Sequence, residues 1–156
     1  MILLQKMTEP DFTDYLSRAI ADYAAEKIKA GTWGEEEAQK LAEETFANLL
    51  PSGVKTETQH LFSIVESVFS QKVGYLWFQS SEGVHGKAAF IYDFIIFEEF
   101  RSLSYGTQTM SELEEIAKKM GIKKVMLHVF AHNTTAFSLY EKMGFKTTDI
   151  SMSKYL

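Results

Sequence analysis

The sequence predicts an α/β fold, an α+β arrangement built on a mixed sheet with helices on both faces. Three observations carry this. Apolar residues recur at helical spacing in four stretches, with alternating or continuous strand-like runs between them. Lys87–Phe97 (KAAFIYDFIIF) is long, β-branched and aromatic, as a central strand buried on both faces would be. Strand, helix and strand then follow between Lys87 and Phe130, which implies a parallel neighbour and a right-handed crossover.

Taken in order, Met1–Leu4 opens a first strand. Thr8 can cap a helix, with Asp11 where a capping box wants an acid and Met7 placed to staple onto Phe12. Phe12, Leu16, Ala19, Ile20 and Tyr23 share one face of that helix, which ends near Ala30-Gly31. An acid-rich second helix runs from about Gly34 to Leu50 and stops at Pro51. His60–Glu66 and Lys72–Gln79 alternate like paired strands, and Ser80–Gly86 reads as their polar connection to the central strand. After a turn at Arg101–Gly106, Met110, Leu113, Ala117 and Met120 mark a third helix, stopped by Gly121. Lys124–Phe130 is a strand, Asn133–Gly144 a helix, and Phe145 onward one or two short terminal strands.

Composition bounds the function. With 46% hydrophobic and 24% charged residues, the 156-residue chain reads as one globular domain, residues 1–156. It has no cysteine, which excludes a thiol nucleophile, zinc–thiolate sites and disulfides. No apolar run approaches a membrane span, and Met1–Leu4 turns polar at Gln5-Lys6, so a cytoplasmic protein with no membrane association is expected. The first 78 residues hold 7 Lys/Arg against 12 Asp/Glu, whereas the rest hold 9 of each, so the whole net charge of −5 lies in the first half. Such a chain is ill suited to a nucleic-acid backbone. His128 and His132 lie four apart on a strand-to-loop stretch without an accompanying acid, and no metal site is expected.

Two constellations could carry chemistry. In Phe97–Thr107 (FEEFRSLSYGT) a turn leads directly into a helix, exposing free N–H groups at the positive end of the helix dipole, a cradle for phosphate oxygens. Gly106 would let the backbone approach a ligand. The plainer reading is a turn with a serine cap. In Asn133–Phe145 (NTTAFSLYEKMGF), Asn133 and Gly144 are also ordinary helix punctuation, and Tyr140 could be a core aromatic.

Together, IxxEFRSLSYGTQTM and LHVFAHNTTAFSLYEKMGF resemble the acetyl-CoA-binding half of the GCN5-related N-acetyltransferase (GNAT) family over residues 86–149. The family's long central strand precedes an Arg/Gln-x-x-Gly-x-Gly/Ala loop, here Arg101-x-x-Ser104-x-Gly106. Ser104 departs from the usual glycine, at a cost of about 1–2 kcal/mol if the position needs positive φ. The resemblance implies that main-chain groups of Ile95, Ile96 and Phe97 pair with the pantetheine arm of acetyl-CoA. Arg101 and the N–H groups of Ser102, Leu103, Ser104, Tyr105, Gly106 and Thr107 would hold the pyrophosphate. Asn133 would bond the pantetheine, Phe137 would pack beside it, and the Tyr140 hydroxyl would face the thioester sulfur.

The implied chemistry is direct attack of a neutral primary amine on the acetyl thioester. Tyr140 would be the acid, since a phenol of pKa ~10 can donate to a thiolate whose acid has pKa ~8.5. Asp93 and Glu66 are candidate bases, though the plainer reading makes both structural carboxylates. The acceptor would be a small molecule or a peptide amine, and the chain a monomer or homodimer. Glu35, Glu36, Glu37, Glu43 and Glu44 beside Trp33 suggest a cationic acceptor, or merely a solvated helix. A non-catalytic acyl-CoA sensor and a nucleotide-binding regulator are the competing readings; the latter lacks a P-loop lysine and a GxGxxG fingerprint.

Overall fold

The computed structural model describes residues 1–156. Its strands are β1 (Ile2–Lys6), β2 (Gln59–Glu66), β3 (Gln71–Gly83), β4 (Gly86–Ile96) and β5 (Lys124–Leu127), and its helices α1 (Glu9–Lys29), α2 (Ala38–Leu49), α3 (Tyr105–Lys119) and α4 (Thr134–Lys142). The sheet runs β1-β2-β3-β4-β5. The first four strands are antiparallel, and β5 returns through α3 to lie parallel to β4.

Alternation along the strands sorts the side chains into two cores. Leu76, Phe78, Ala89 and Ile91 pack under α3 with Met110 and Leu113. Tyr75, Trp77 and Leu61 face the other way, against Tyr15 and Ala19 of α1 and Phe46 of α2. Both helix layers are therefore tied to β3. At the start of α1 the capping box forms: the Thr8 N–H donates to Asp11 Oδ2 and the Asp11 N–H to Thr8 Oγ1, each at 3.2 Å. Asp11 also pairs with Lys72 of β3, which holds its carboxyl below the ordinary carboxylate range.

Four boundaries differ from the sequence reading. Gly34–Glu37 is a turn, in which Glu37 Oε1 accepts the Gly34 N–H at 3.3 Å, so α2 begins at Ala38. Ser80–Gly83 belongs to β3, because Ser80 and Ser81 find ladder partners in Ala89 and Ala88; only Val84-His85 is left as the turn. β5 stops at Leu127 instead of Phe130, where its pairing with β4 ends. The terminal strands are absent: Phe145 packs on the α3-side core, but residues 146–156 are exposed and join no ladder. Their apolar residues Ile150 and Met152 face solvent, so no buried face pins a register there. No helix is long and apolar enough to cross a membrane.

Gly74 of β3 fixes how β4 passes over it. A Cβ there would sit 2.0 Å from the Ile95 carbonyl oxygen, closer than any atom can approach without moving β4. Gly74→Ala should therefore destabilise the fold by about 1–3 kcal/mol or more, as overpacking does. Chemical denaturation checks this; a midpoint equal to that of the parent would show that β4 gives way freely.

Candidate functional site

The site begins with a slip in register. Phe78 pairs with Ile91 and Trp77 with Asp93, so Tyr92 is the extra residue of a β-bulge. On the other edge, β4 pairs with β5 from Ala88↔Lys124 as far as Ile91↔Leu127 and no further. From Tyr92 to Ile96, β4 runs on with that edge open. Of the three residues proposed to meet a pantetheine arm, Phe97 donates its N–H to Val73 O at 2.8 Å, and Ile95 lies opposite Tyr75. Alternation turns the N–H and C=O of Ile96 towards the open edge. Arg101 already donates from Nε to the Ile96 carbonyl at 3.0 Å, so its side chain closes back onto β4, with the remaining guanidinium nitrogens left to reach outward.

The loop before α3 holds two serines in the left-handed region, Ser102 at φ 62° and Ser104 at φ 65°. Ser104 is the N-cap of α3 but makes no side-chain cap. The first-turn N–H groups of Tyr105, Gly106 and Thr107 are thus uncapped at the positive end of a 15-residue helix. Left-handed residues in such a loop turn successive N–H groups to one side, making an anion-binding concavity. Leu103, between the serines, is exposed.

Gly106 has a packing role beside the one its motif suggests. A Cβ there would meet Leu139 Cδ2 of α4 at 3.1 Å and Phe94 Cζ at 3.8 Å. It is the point where α3, α4 and β4 converge, and a side chain there would press on the tip of Leu139. Asn133 Oδ1 accepts the Ala136 N–H at 3.3 Å and caps α4, which leaves its amide nitrogen as the group able to reach a ligand. Phe137 is exposed on the same helix.

Tyr140 is half-buried between Phe94 and Phe145, at ring distances of 6.5 and 5.7 Å. Burial, then the negative charge of Asp93, push its phenol up to about 12. Asp93 faces the α1 layer, where its Oδ2 accepts the Tyr15 hydroxyl at 2.7 Å. Burial raises the Asp93 carboxyl to about 6, opposed by that hydrogen bond and reinforced by the charge of Asp22. The two titratable groups thus approach the open edge of β4 from opposite faces. Tyr15 escaped the sequence reading because a tyrosine on the apolar face of a helix looks like core, and only the fold shows what its hydroxyl meets.

Glu66, the other candidate base, is 6% exposed and turned into the β2–β3 turn. It accepts the Val68 and Phe69 N–H groups at 2.9 Å each and lies 3.7 Å from the terminal amine. These donors hold its carboxyl below the ordinary range. This is a carboxylate closing a turn. Trp33 is also engaged: Lys27 Nζ lies 5.3 Å from its ring and 5.5 Å from that of Tyr23. The cation–π face suggested for an acceptor is occupied by the chain's own lysine. His132, read as a plain loop histidine, pairs with Glu26 of α1. No group of three or more potential ligands gathers to hold a metal.

The model of the Acetyltransferase (GNAT) family matches residues 16–145. The chain belongs to that family. It is 44% identical over 157 residues to the uncharacterized N-acetyltransferase YycN of Bacillus subtilis, covering 99% of each chain. The crystal structure of YycN superposes with a TM-score of 0.95 over 100% of this chain and 99% of that one. A second B. subtilis relative, the uncharacterized N-acetyltransferase YdgE, is 35% identical over 153 residues, 98% of this chain and 97% of that one. A spermidine N(1)-acetyltransferase of Thermoplasma acidophilum is 36% identical over 58 residues, 37% of this chain and 36% of its own. The GNAT family generally uses acetyl-CoA.

Two predictions follow from the strain and the buried charge. Ser104→Gly should raise stability by about 0.5–1 kcal/mol, the left-handed penalty less glycine's extra unfolded-state entropy. That amounts to ~2–4 °C in Tm per kcal/mol for a chain of this size, and an unchanged Tm would show the strain to be relieved locally. Asp93 binds its proton more tightly folded than unfolded, so it withdraws stability as pH rises from about 4 to about 6 and fully above that. Asp93→Asn should therefore be more stable than the parent above pH 6 but not at pH 4. The gain should be at most about 3 kcal/mol, and less because the site is only half-buried. Melting curves of both proteins across that range test it; a gain equal at pH 4 and pH 7 would assign it to another cause.

Proposed function

We propose that the protein transfers the acetyl group of acetyl-CoA to a primary amine by direct attack. The observation that carries this is the open edge of β4 beyond Tyr92, flanked by the uncapped N–H loop on one side and by Asp93 and Tyr140 on opposite faces. Residues Ser102–Thr107 and the free nitrogens of Arg101 suit a pyrophosphate, and Ile96, the Asn133 amide and Phe137 suit the pantetheine arm.

In the reaction the amine nitrogen bonds to the thioester carbonyl carbon, the C–S bond breaks, and the thiolate leaves. Asp93 takes the proton that the amine loses; a carboxyl at about 6 is a better-matched base near neutral pH than an ordinary aspartate. Tyr140 keeps its proton at every working pH. With the phenol at about 12 and a thiol at ~8.5, full transfer to the sulfur is uphill by ~5 kcal/mol, so Tyr140 acts by hydrogen-bonding the departing thiolate. Backbone N–H groups would stabilise the oxyanion.

A cationic acceptor is the class the charges support. The acid excess of the first half includes Asp22, whose charge is felt at both Asp93 and Tyr15. That support now rests on Asp22 and Asp93 rather than on Trp33. A non-catalytic sensor remains the alternative for the assay to exclude, and the coupled Asp93 and Tyr140 favour the enzyme.

Saturating acetyl-CoA should raise the Tm, whereas ATP should not. Acetyl transfer to spermidine, lysine and glucosamine should exceed transfer to glutamate, with the advantage shrinking at high salt because exposed charges are screened beyond about 10 Å at 0.1 M. Tyr140→Phe should lower kcat by ~10²-fold with acetyl-CoA affinity nearly unchanged. No Tm response to acetyl-CoA would end the reading, binding without turnover of any amine would favour the sensor, and a full-speed Phe variant would return Tyr140 to packing.

A further inference from the structure

The one fully buried side chain that reaches the candidate base is Tyr15. It is 1% exposed, its ring packs edge-on to Tyr75 at 5.1 Å, and its hydroxyl donates to Asp93 Oδ2 at 2.7 Å. Tyr15 is on α1 and Asp93 on β4, 78 residues apart in sequence, so this bond is the direct polar link between the acceptor-side helix layer and the reacting end of the sheet.

The two oxygens of Asp93 are held differently. Oδ2 is bound to Tyr15; Oδ1 has no side-chain partner and is not among the sealed, unsatisfied atoms of the fold, which comprise Ser63 Oγ alone. One oxygen is anchored and the other left available. The remaining groups facing this carboxylate are Asp22 from α1, Tyr140 from α4 and the Phe94 main-chain N–H. Asp22 opposes ionisation, and Tyr140 is neutral. The Tyr15 hydroxyl and the Phe94 N–H therefore act alone in favour of the ionised form that a base requires.

We propose that Tyr15 is a positioning residue for acyl transfer: its hydroxyl pins Oδ2 of Asp93 so that Oδ1 is presented, ionised, to the attacking amine. This rests on the reading of Asp93 as base. Burial and the nearby carboxylates push the Tyr15 phenol well above its ordinary range, so it stays a proton donor throughout the pH range of the reaction. Tyr15 touches neither reactant; it works through Asp93.

Tyr15→Phe keeps the ring and its packing on Tyr75 and removes only the donor. The carboxyl carbon of Asp93, assigned by its loss in Asp93→Asn, is titrated by ¹³C NMR in the parent and in Tyr15→Phe without any ligand. Loss of a hydrogen bond to the ionised form should move that titration up by about 1 pH unit. With spermidine as the probe amine, the acid limb of kcat/KM should rise by the same amount, while KM for acetyl-CoA stays put; lost ionisation lowers kcat at pH 7 by ~2-fold, and lost positioning of the carboxylate brings the fall to ~10-fold. In an Asp93→Asn background, Tyr15→Phe should cause no further loss. Should Tyr15→Phe fold poorly, 3,5-difluorotyrosine at position 15 provides a stronger donor in the same shape and should move the titration down.

An unmoved Asp93 titration in either variant, or an unmoved acid limb in Tyr15→Phe, overturns the positioning role and leaves Tyr15 as core. A fully active Asp93→Asn protein overturns the base assignment itself, independently of what Tyr15 does to the titration.

Discussion

β4 is asked to pair with two neighbours and keeps only one of them along its full length. Its hydrogen bonds to β3 continue to Ile96, because Gly74 lets the Ile95 carbonyl pass where any side chain would block it. Its bonds to β5 end at Ile91, one residue before the bulge at Tyr92. A bulge increases local twist, and the strand beyond it parts from β5 with polar main-chain groups facing the gap. Every other feature of the site is arranged around that parting. α3 begins beside it, α4 closes on it through Leu139 against Gly106, and Asp93 is the first residue after the bulge to lie opposite a β3 partner.

The same parting explains how Asp93 and Tyr140 reach one edge from different layers. Asp93 faces α1 while its neighbour Phe94 faces the α3 core, where Tyr140 packs against it. Two groups on opposite faces of an unbroken sheet would be separated by its backbone. At an open edge they can sense one another, and the charge of Asp93 does contribute to raising the Tyr140 phenol. The loop strain belongs to this geometry as well. Ser102 and Ser104 adopt left-handed backbone at some cost, and that conformation aims the uncapped N–H groups of α3 outward.

Much of this was legible in the residues, for identifiable reasons. Thr8-x-x-Asp11, the continuous apolar run of β4 and the Asn133–Gly144 punctuation are local signals, and each element formed where its signal lay. Ser104 stands where the family loop usually has glycine, and its φ of 65° shows why glycine is usual there. What was not legible depended on contacts distant in sequence. The packing of Leu139 against Gly106 is one such contact. Glu66 looked like a base until the Val68 and Phe69 N–H groups were found on its carboxylate. Tyr15 and His132 take their polar partners 78 and 106 residues away. The terminal segment carried enough apolar residues to suggest strands, but a strand needs a neighbour, and none pairs with it.

The distance between the two layers around the open edge needs its own fastening, because the sheet does not supply one there. The far end of α1 provides it. Glu26 pairs with His132, and Lys27, one residue on, sits within 6.0 Å of the Phe130 ring as well as against Tyr23 and Trp33. Phe130 and His132 stack on each other at 5.5 Å, so the β5–α4 loop meets α1 as one unit. That loop leads directly into Asn133, which caps α4 and thereby sets the height of Tyr140 two turns along. Tyr15, three turns earlier on α1, holds Asp93. The helix that holds Asp93 is thus also the helix against which the Tyr140 helix is braced, and Lys27 is part of that brace.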